Sequence, residues 1–344
     1  MNLVDKYQII TDKMRRINYE MLWPGFHRYN IALYDDSMVC YQGNIIPKTD
    51  EFMANTSIKY NNEMIGIWNM LEDMDDELLA SKLIHETFHA YQTENKESRF
   101  PNEIKALINY RYDAVNLSMK AIENKLIVKM IESFNLNMFN QFIQIRRQRF
   151  DMFPYEVNYE MAIEQIEGTA NYVELESLKQ LNIEKYQNKL KSMCRSIITD
   201  KNLLPIRIIS YDIGALLIKI INDNKLQMNF EFNNQYFLSH YLQSVCTIDV
   251  EYGTSEEINK LINLYYQETE RYIENSTKEE NIIARGDFEL LGVNIYNARY
   301  YQNSIVTEYF LMYKDEENQK ILYGNYLAKI NDKLRITEIY KLIK

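Results

Sequence analysis

The feature that most constrains this chain is His85-Glu86-Thr87-Phe88-His89, an H-E-x-x-H motif inside a segment spaced like one amphipathic helix. Two of only four histidines in 344 residues fall four positions apart. On an α-helix that spacing stacks both imidazoles on one face, at a separation suited to sharing a single metal ion. Glu86 lies one residue round from the first histidine, where it reaches water on such an ion as general base. Two histidines do not complete a hydrolytic zinc site, which takes three protein ligands and keeps one position for water. The plainer reading is two core or surface histidines on an ordinary helix.

Composition narrows the setting. Hydrophobic residues make up 46% of the chain, so it is globular, and nine glycines and five prolines are few enough to favour long helices. A net charge of −10 argues against sequence-independent nucleic-acid binding, which needs a basic footprint. The basic cluster Arg146-Arg147-Gln148-Arg149 closes a predicted helix and reads as capping or surface charge. Cys40, Cys194 and Cys246 are far apart and lack a C-x-x-C pattern, so neither a disulfide framework nor a cysteine zinc site is expected. Met1 to Leu22 alternates charged and apolar residues, unlike a signal peptide, and no later run is long enough to span a membrane. A reducing, cytoplasmic setting is the expectation.

The expected fold class is α+β, mainly α. A helical pattern over 1–21 is broken at Trp23-Pro24-Gly25. A small sheet is expected over 29–69, with strands at 31–34, 37–41, 56–60 and 64–69, the last two forming a hairpin about Asn61-Asn62. The motif helix starts near Asp75 or Asp76 and runs to about Glu94. Further helices are expected at 103–124, 125–150, 159–181, 183–199, 205–222, 235–246 and 255–274. After about Arg285 the chain turns rich in Tyr, Ile, Val and Thr, and runs at 288–296, 304–314, 320–330 and 334–343 predict a four-stranded antiparallel meander. Two domains follow, 1–280 and 285–344.

One later helix carries a polar stripe. Glu160, Glu164, Glu167, Asn171 and Glu174 recur in steps of four and three, opposite Ala162, Ile166, Ala170 and Val173. The stripe is either a solvated face or the lining of a cleft. His27 and His240 are also candidates for a third ligand, and spacing alone does not choose among them.

The stretch Glu164-Gln165-Ile166-Glu167-Gly168-Thr169-Ala170-Asn171-Tyr172-Val173-Glu174 resembles the E-G-x-x-x-Y-V/F-E signature of gluzincin metallopeptidases, the class including aminopeptidase N and thermolysin. The resemblance implies a zincin-like catalytic body of small sheet plus helical bundle, one Zn2+ per chain, and a peptide or protein substrate. It makes Glu167 the third ligand beside His85 and His89, with Gly168 and Ala170 small enough for two helices to approach closely. Asn171, one turn on, would hydrogen-bond a ligand histidine, and Glu164 would stand beside the ligands in the same supporting layer. Ser210-Tyr211-Asp212-Ile213-Gly214-Ala215 resembles the Y-x-x-G-A segment of aminopeptidase N-like members, whose tyrosine donates to the oxyanion. Tyr211 inherits that role; the plainer reading is a core tyrosine, and Tyr159 and His240 are reserves. In zincins the strand before the motif helix pairs with an extended peptide, which makes Ile65, Gly66, Ile67 and Trp68 a possible substrate strand. Two departures stand out. Between His89 and Glu167 there is room for two whole helices. The exopeptidase motif G-x-M-E-N is absent, since Gly66-Ile67-Trp68-Asn69-Met70 lacks its glutamate, so aminopeptidase activity is not implied.

Two other functions use the same residues. A zincin-fold binding or regulatory protein has no need of Glu86, and a zinc hydrolase of a non-peptide bond would keep every ligand. The C-terminal strands read first as a packing module; Tyr296, Tyr300 and Tyr301 would otherwise meet substrate or a second subunit. No residue pattern specifies the oligomeric state.

Overall fold

A computed structural model describes residues 2–72, 74–245 and 252–344; Cys246 and the end of the helix expected at 235–246 lie outside them. The helices are α1 (Leu3–Met14), α2 (Asp76–Glu94), α3 (Glu103–Asn109), α4 (Ala114–Glu132), α5 (Leu136–Met152), α6 (Pro154–Leu181), α7 (Ile183–Ile197), α8 (Ile206–Asp223), α9 (Ser239–Ser244) and α10 (Glu256–Ser276). Five strands precede α2: β1 (Asn30–Tyr34), β2 (Met38–Tyr41), β3 (Asn44–Pro47), β4 (Thr56–Tyr60) and β5 (Glu63–Asn69). Seven follow α10: β6 (Ile282–Val293), β7 (Arg299–Tyr301), β8 (Ser304–Thr307), β9 (Phe310–Asp315), β10 (Asn318–Tyr323), β11 (Tyr326–Ile330) and β12 (Arg335–Lys341). The architecture is α+β and mainly helical, with a small mixed sheet, a helical body and a C-terminal antiparallel sheet. Among the described residues no helix is long and apolar enough to cross a membrane.

The N-terminal sheet has the order β3-β2-β1-β5-β4, with β1 and β5 parallel and the other pairs antiparallel. Asn61 and Asn62 hold φ of 49° and 66°, the left-handed values that a tight two-residue hairpin requires. The strand expected to dock a peptide is corrected here: Ile65 to Trp68 pair with β1 on one side and β4 on the other, so β5 has no free edge. The free edge next to α2 belongs to β4. Gly66 has a packing role instead, since a Cβ there would stand 2.9 Å from Thr87 Cγ2 within the motif. The glycine lets the motif helix lie close against the sheet.

Asp75 caps α2, its Oδ1 accepting from the backbone N–H of Glu77 and Leu78. The helix expected over 103–124 is two, because the chain leaves helical geometry from Tyr110 to Asp113 and Asp113 caps a fresh start. The 125–150 segment likewise divides at Ser133–Asn135, where Asn135 caps α5. α1 ends at Met14, well short of residue 21. At the centre of the body α6 crosses α8 with backbone nearly touching backbone: a Cβ on Gly168 would lie 2.6 Å from Gly214 Cα, and one on Gly214 2.6 Å from Glu164 O. No other residue fits either position. That crossing holds the helix bearing Glu167 against the one bearing Tyr211.

The C-terminal sheet has seven strands in the order β10-β9-β6-β12-β11-β8-β7, so it is not the four-stranded meander expected from its four apolar runs. Two of those runs break mid-way, at Glu308-Tyr309 and at Gly324-Asn325, where Tyr309 and Gly324 take positive φ. The long β6 pairs with both β9 and β12. Leu107 and Ile108 of α3 pack against this sheet's own core, joining it to the helical body.

Candidate metal centre

α2 presents His85 and His89 on one face, and α6 brings Glu167 against them. His85 Nε2 and His89 Nε2 stand 3.1 Å apart, and Glu167 Oε2 lies 3.3 Å from the second and 3.8 Å from the first. Zinc bonds of about 2.0–2.1 Å in tetrahedral geometry place any two ligand atoms about 3.4 Å apart. The three observed edges bracket that value. Among the described residues, His85, His89 and Glu167 are the one group of His, Cys, Asp or Glu side chains close enough to share an ion.

Tautomers decide whether these nitrogens can bind metal. His89 Nδ1 lies 2.7 Å from Gln92 Oε1. The orientation of that amide is settled on its other side, where Gln92 Nε2 donates to Ile166 O and Thr169 Oγ1, both at 2.9 Å. A carbonyl accepts only, so the Gln92 nitrogen must face Ile166 and its oxygen must face His89. The neutral imidazole that a metal needs would therefore carry its proton on Nδ1 and offer its Nε2 lone pair to the site. Gln92, three residues beyond His89 on the same helix, was not foreseen, although the 85-89-92 spacing put it on the ligand face. His85 Nδ1 sits 3.4 Å from Glu174 Oε2, inside ion-pair range but outside good hydrogen-bond geometry. Lys189 Nζ donates to the other oxygen of Glu174 at 3.0 Å.

Two supporting residues are corrected. Asn171 does not reach a histidine; its Nδ2 donates to Asp212 Oδ1 at 3.4 Å. The next stripe position, Glu174, stands beside His85 instead. Glu164 is not at the ligands either: its carboxylate accepts from Arg146 Nη1 at 2.8 Å and Nη2 at 3.1 Å, and from Lys120 Nζ at 3.3 Å. Glu160 meets Arg149 Nη2 at 2.7 Å and Lys120 Nζ at 2.7 Å. Arg146 and Arg149, expected at the surface, are fully buried, because on α5 they share an inward face while Arg147 turns out to Asp151.

On the open side Arg207 organises the site, and nothing in its sequence surroundings announced it. Its Nη2 donates to Glu167 Oε1 at 3.1 Å and to Tyr211 OH at 2.7 Å, while Nη1 donates to Glu103. Tyr211 thus stands one residue from the third ligand, its hydroxyl also 3.2 Å from Tyr296 OH on the loop after β6. Tyr159 donates to Glu103 Oε2 at 2.8 Å and belongs to the same chain of contacts. His240 and His27 stay outside: the first packs on Tyr241 and the second stacks on Tyr29. Glu86 is half-buried, and no hydrogen bond or ion pair holds it among the described residues.

The electrostatics match this wiring. Burial would push the Glu167 carboxyl up, but the two histidines outweigh it and hold it well below the usual carboxylate range. Burial also opposes charge on His85, yet Glu167 and Glu174 raise it to about 10 while no ion is present. Tyr211 is raised far above an ordinary phenol, by burial first and by Glu167 next, so it remains a neutral donor. The donor set therefore suits a borderline divalent cation: two imidazoles, one anionic carboxylate and a carboxylate environment.

No protein-family model matches the chain, and no curated protein and no solved structure matches it. The resemblance to gluzincins therefore rests on the sequence motifs alone.

Proposed function

We propose that this protein is a zinc-dependent metallopeptidase of the gluzincin type. The observation that carries the reading is the convergence of His85, His89 and Glu167 from two helices, with Glu86 unengaged beside them. His85 Nε2, His89 Nε2 and Glu167 Oε2 would hold the ion. Zinc supplies Lewis acidity there, acidifying water and polarising a carbonyl.

The chain's own groups do the rest. Glu86 accepts a proton as water attacks the peptide carbonyl and delivers it to the departing amine, so the bond breaks to an acid and a neutral amine. Tyr211 donates its hydroxyl hydrogen to the oxyanion; Arg207 holds the phenol in place by donating to its oxygen, while burial and Glu167 keep it neutral. Gln92 and Glu174 hold the two imidazoles in register. An extended substrate would add to the outer edge of β4, the strand left open beside α2. The free, buried Cys40 and the free Cys194 fit a reducing, cytoplasmic location.

Glu86→Gln tests the reading against a binding protein on the same scaffold. An enzyme loses turnover of a mixed peptide library by about 10²–10⁴-fold while keeping its zinc. Zinc-loaded wild type that cleaves no peptide in that library, or a variant with unchanged turnover, would sink it.

A further inference from the structure

We propose that the cavity enclosed by α3, α8, α10 and the C-terminal sheet is a specificity pocket for a large apolar or aromatic side chain of a peptide substrate. This rests on the metallopeptidase reading and adds its substrate class. The cavity holds about 300 Å³ and shares Glu103, Tyr159 and Arg207 with the metal centre. Arg207 is the common wall: its Nη2 donates to Glu167 and Tyr211, and the same residue lines the cavity.

The chemistry of the lining selects the occupant. Tyr110, Tyr112, Tyr159, Tyr265, Tyr266, Tyr300 and Tyr301 line the cavity, and three of their hydroxyls are committed within the fold. Tyr110 OH donates to Glu160 Oε1 at 2.7 Å, Tyr159 OH to Glu103, and Tyr300 OH to Asn303 Oδ1 at 3.0 Å. The charged groups are paired as well, Glu103 with Arg207 and Arg111 with Glu156. Much of what remains to greet a ligand is ring face and the aliphatic surface of Leu107, Ile108, Ile206 and Ile295, which favours aromatic or branched side chains over charged ones.

The far wall, Ala298 and Tyr300, comes from the C-terminal sheet. With Tyr296 touching Tyr211, that sheet is a part of the substrate site and not only a packing module.

The test uses zinc-loaded full-length Glu86→Gln protein, which keeps substrate uncleaved, and two acetylated, amidated probes: an alanine peptide and the same peptide with one central phenylalanine. The phenylalanine probe should bind about tenfold more tightly or better, a difference on the scale of burying one aromatic side chain. Ala298→Phe, which fills the cavity, and Tyr300→Ala, which removes a wall, should each erase that preference with zinc content unchanged. Equal binding of the two probes, or a preference that survives both zinc-loaded variants, would overturn the pocket. The two ideas fail separately: a pocket-dependent preference for a peptide that zinc-loaded wild type never cleaves keeps the pocket and removes the peptidase.

Discussion

The two halves of the α6 stripe set the same residue type to opposite uses. Glu160 and Glu164, in the first half, are fully buried and face Lys120, Arg146 and Arg149, with Glu123 as third carboxylate. Three fixed cations there meet three carboxylates, and the cluster is closed. Glu167 and Glu174, one and three turns on, face imidazoles. By direct ion pairs, Glu103 and Glu167 share Arg207, Glu174 takes Lys189, and Glu86 takes none, so four carboxylates meet two fixed cations. Two neutral histidines and a divalent cation would make up the difference. The lesson is that a glutamate's role on a buried helix is set by what the facing helix presents. Permanent cations make it a structural brace, whereas titratable donors leave room for a metal.

The comparison can be broken most forcefully at the closed end. Arg146→Ala leaves buried Glu164 with Lys120 alone and strips buried Glu123 of one of its two guanidinium partners, and should cost about 3–5 kcal/mol in urea unfolding; a loss under about 1 kcal/mol would mean the cluster is no brace. Acid comes next. Burial raises the Glu160 carboxyl, but Arg149 and Lys120 outweigh it and hold it well below its ordinary value. Its folded pKa is depressed, so its contribution is present above an unfolded value of about 4.3 and is lost as pH falls through the folded one. Urea midpoints should therefore hold to about pH 4 and drop steeply below, a drop that is shallower in Glu160→Gln. At the open end, Gln92→Ala frees the His89 tautomer and should weaken zinc by about 10–100-fold in a chelator competition, with the urea midpoint nearly unchanged. The smallest effect is assigned to Asn171→Ala, which touches no ligand and should leave zinc affinity within about twofold. A larger loss there would restore the role that its spacing first suggested.

Much of this was legible in the residues. The motif helix, its Asp75 cap, the Asn61-Asn62 hairpin and the glycine at the α6 crossing all follow from local patterns. The stripe itself was visible too, but its division was not. Periodicity says which side chains share a face, while the partner on that face lies on another helix far along the chain, as Arg146 and Arg207 do. The same limit explains Glu174 standing where Asn171 was expected: both lie on the stripe, and only the height of α2 against α6 selects between them. It also explains the sheets. Apolar runs locate strands, whereas β5 becomes interior through its pairing with β1, and two C-terminal runs divide at turns with positive φ.

The most direct test of the account is zinc content by inductively coupled plasma mass spectrometry on two neighbours of one stripe, Glu164→Gln and Glu167→Gln, beside wild type. The account predicts about one zinc per chain in wild type and in folded Glu164→Gln, and less than about a tenth of that in Glu167→Gln. Full zinc in Glu167→Gln, or equal loss in both variants, would contradict it.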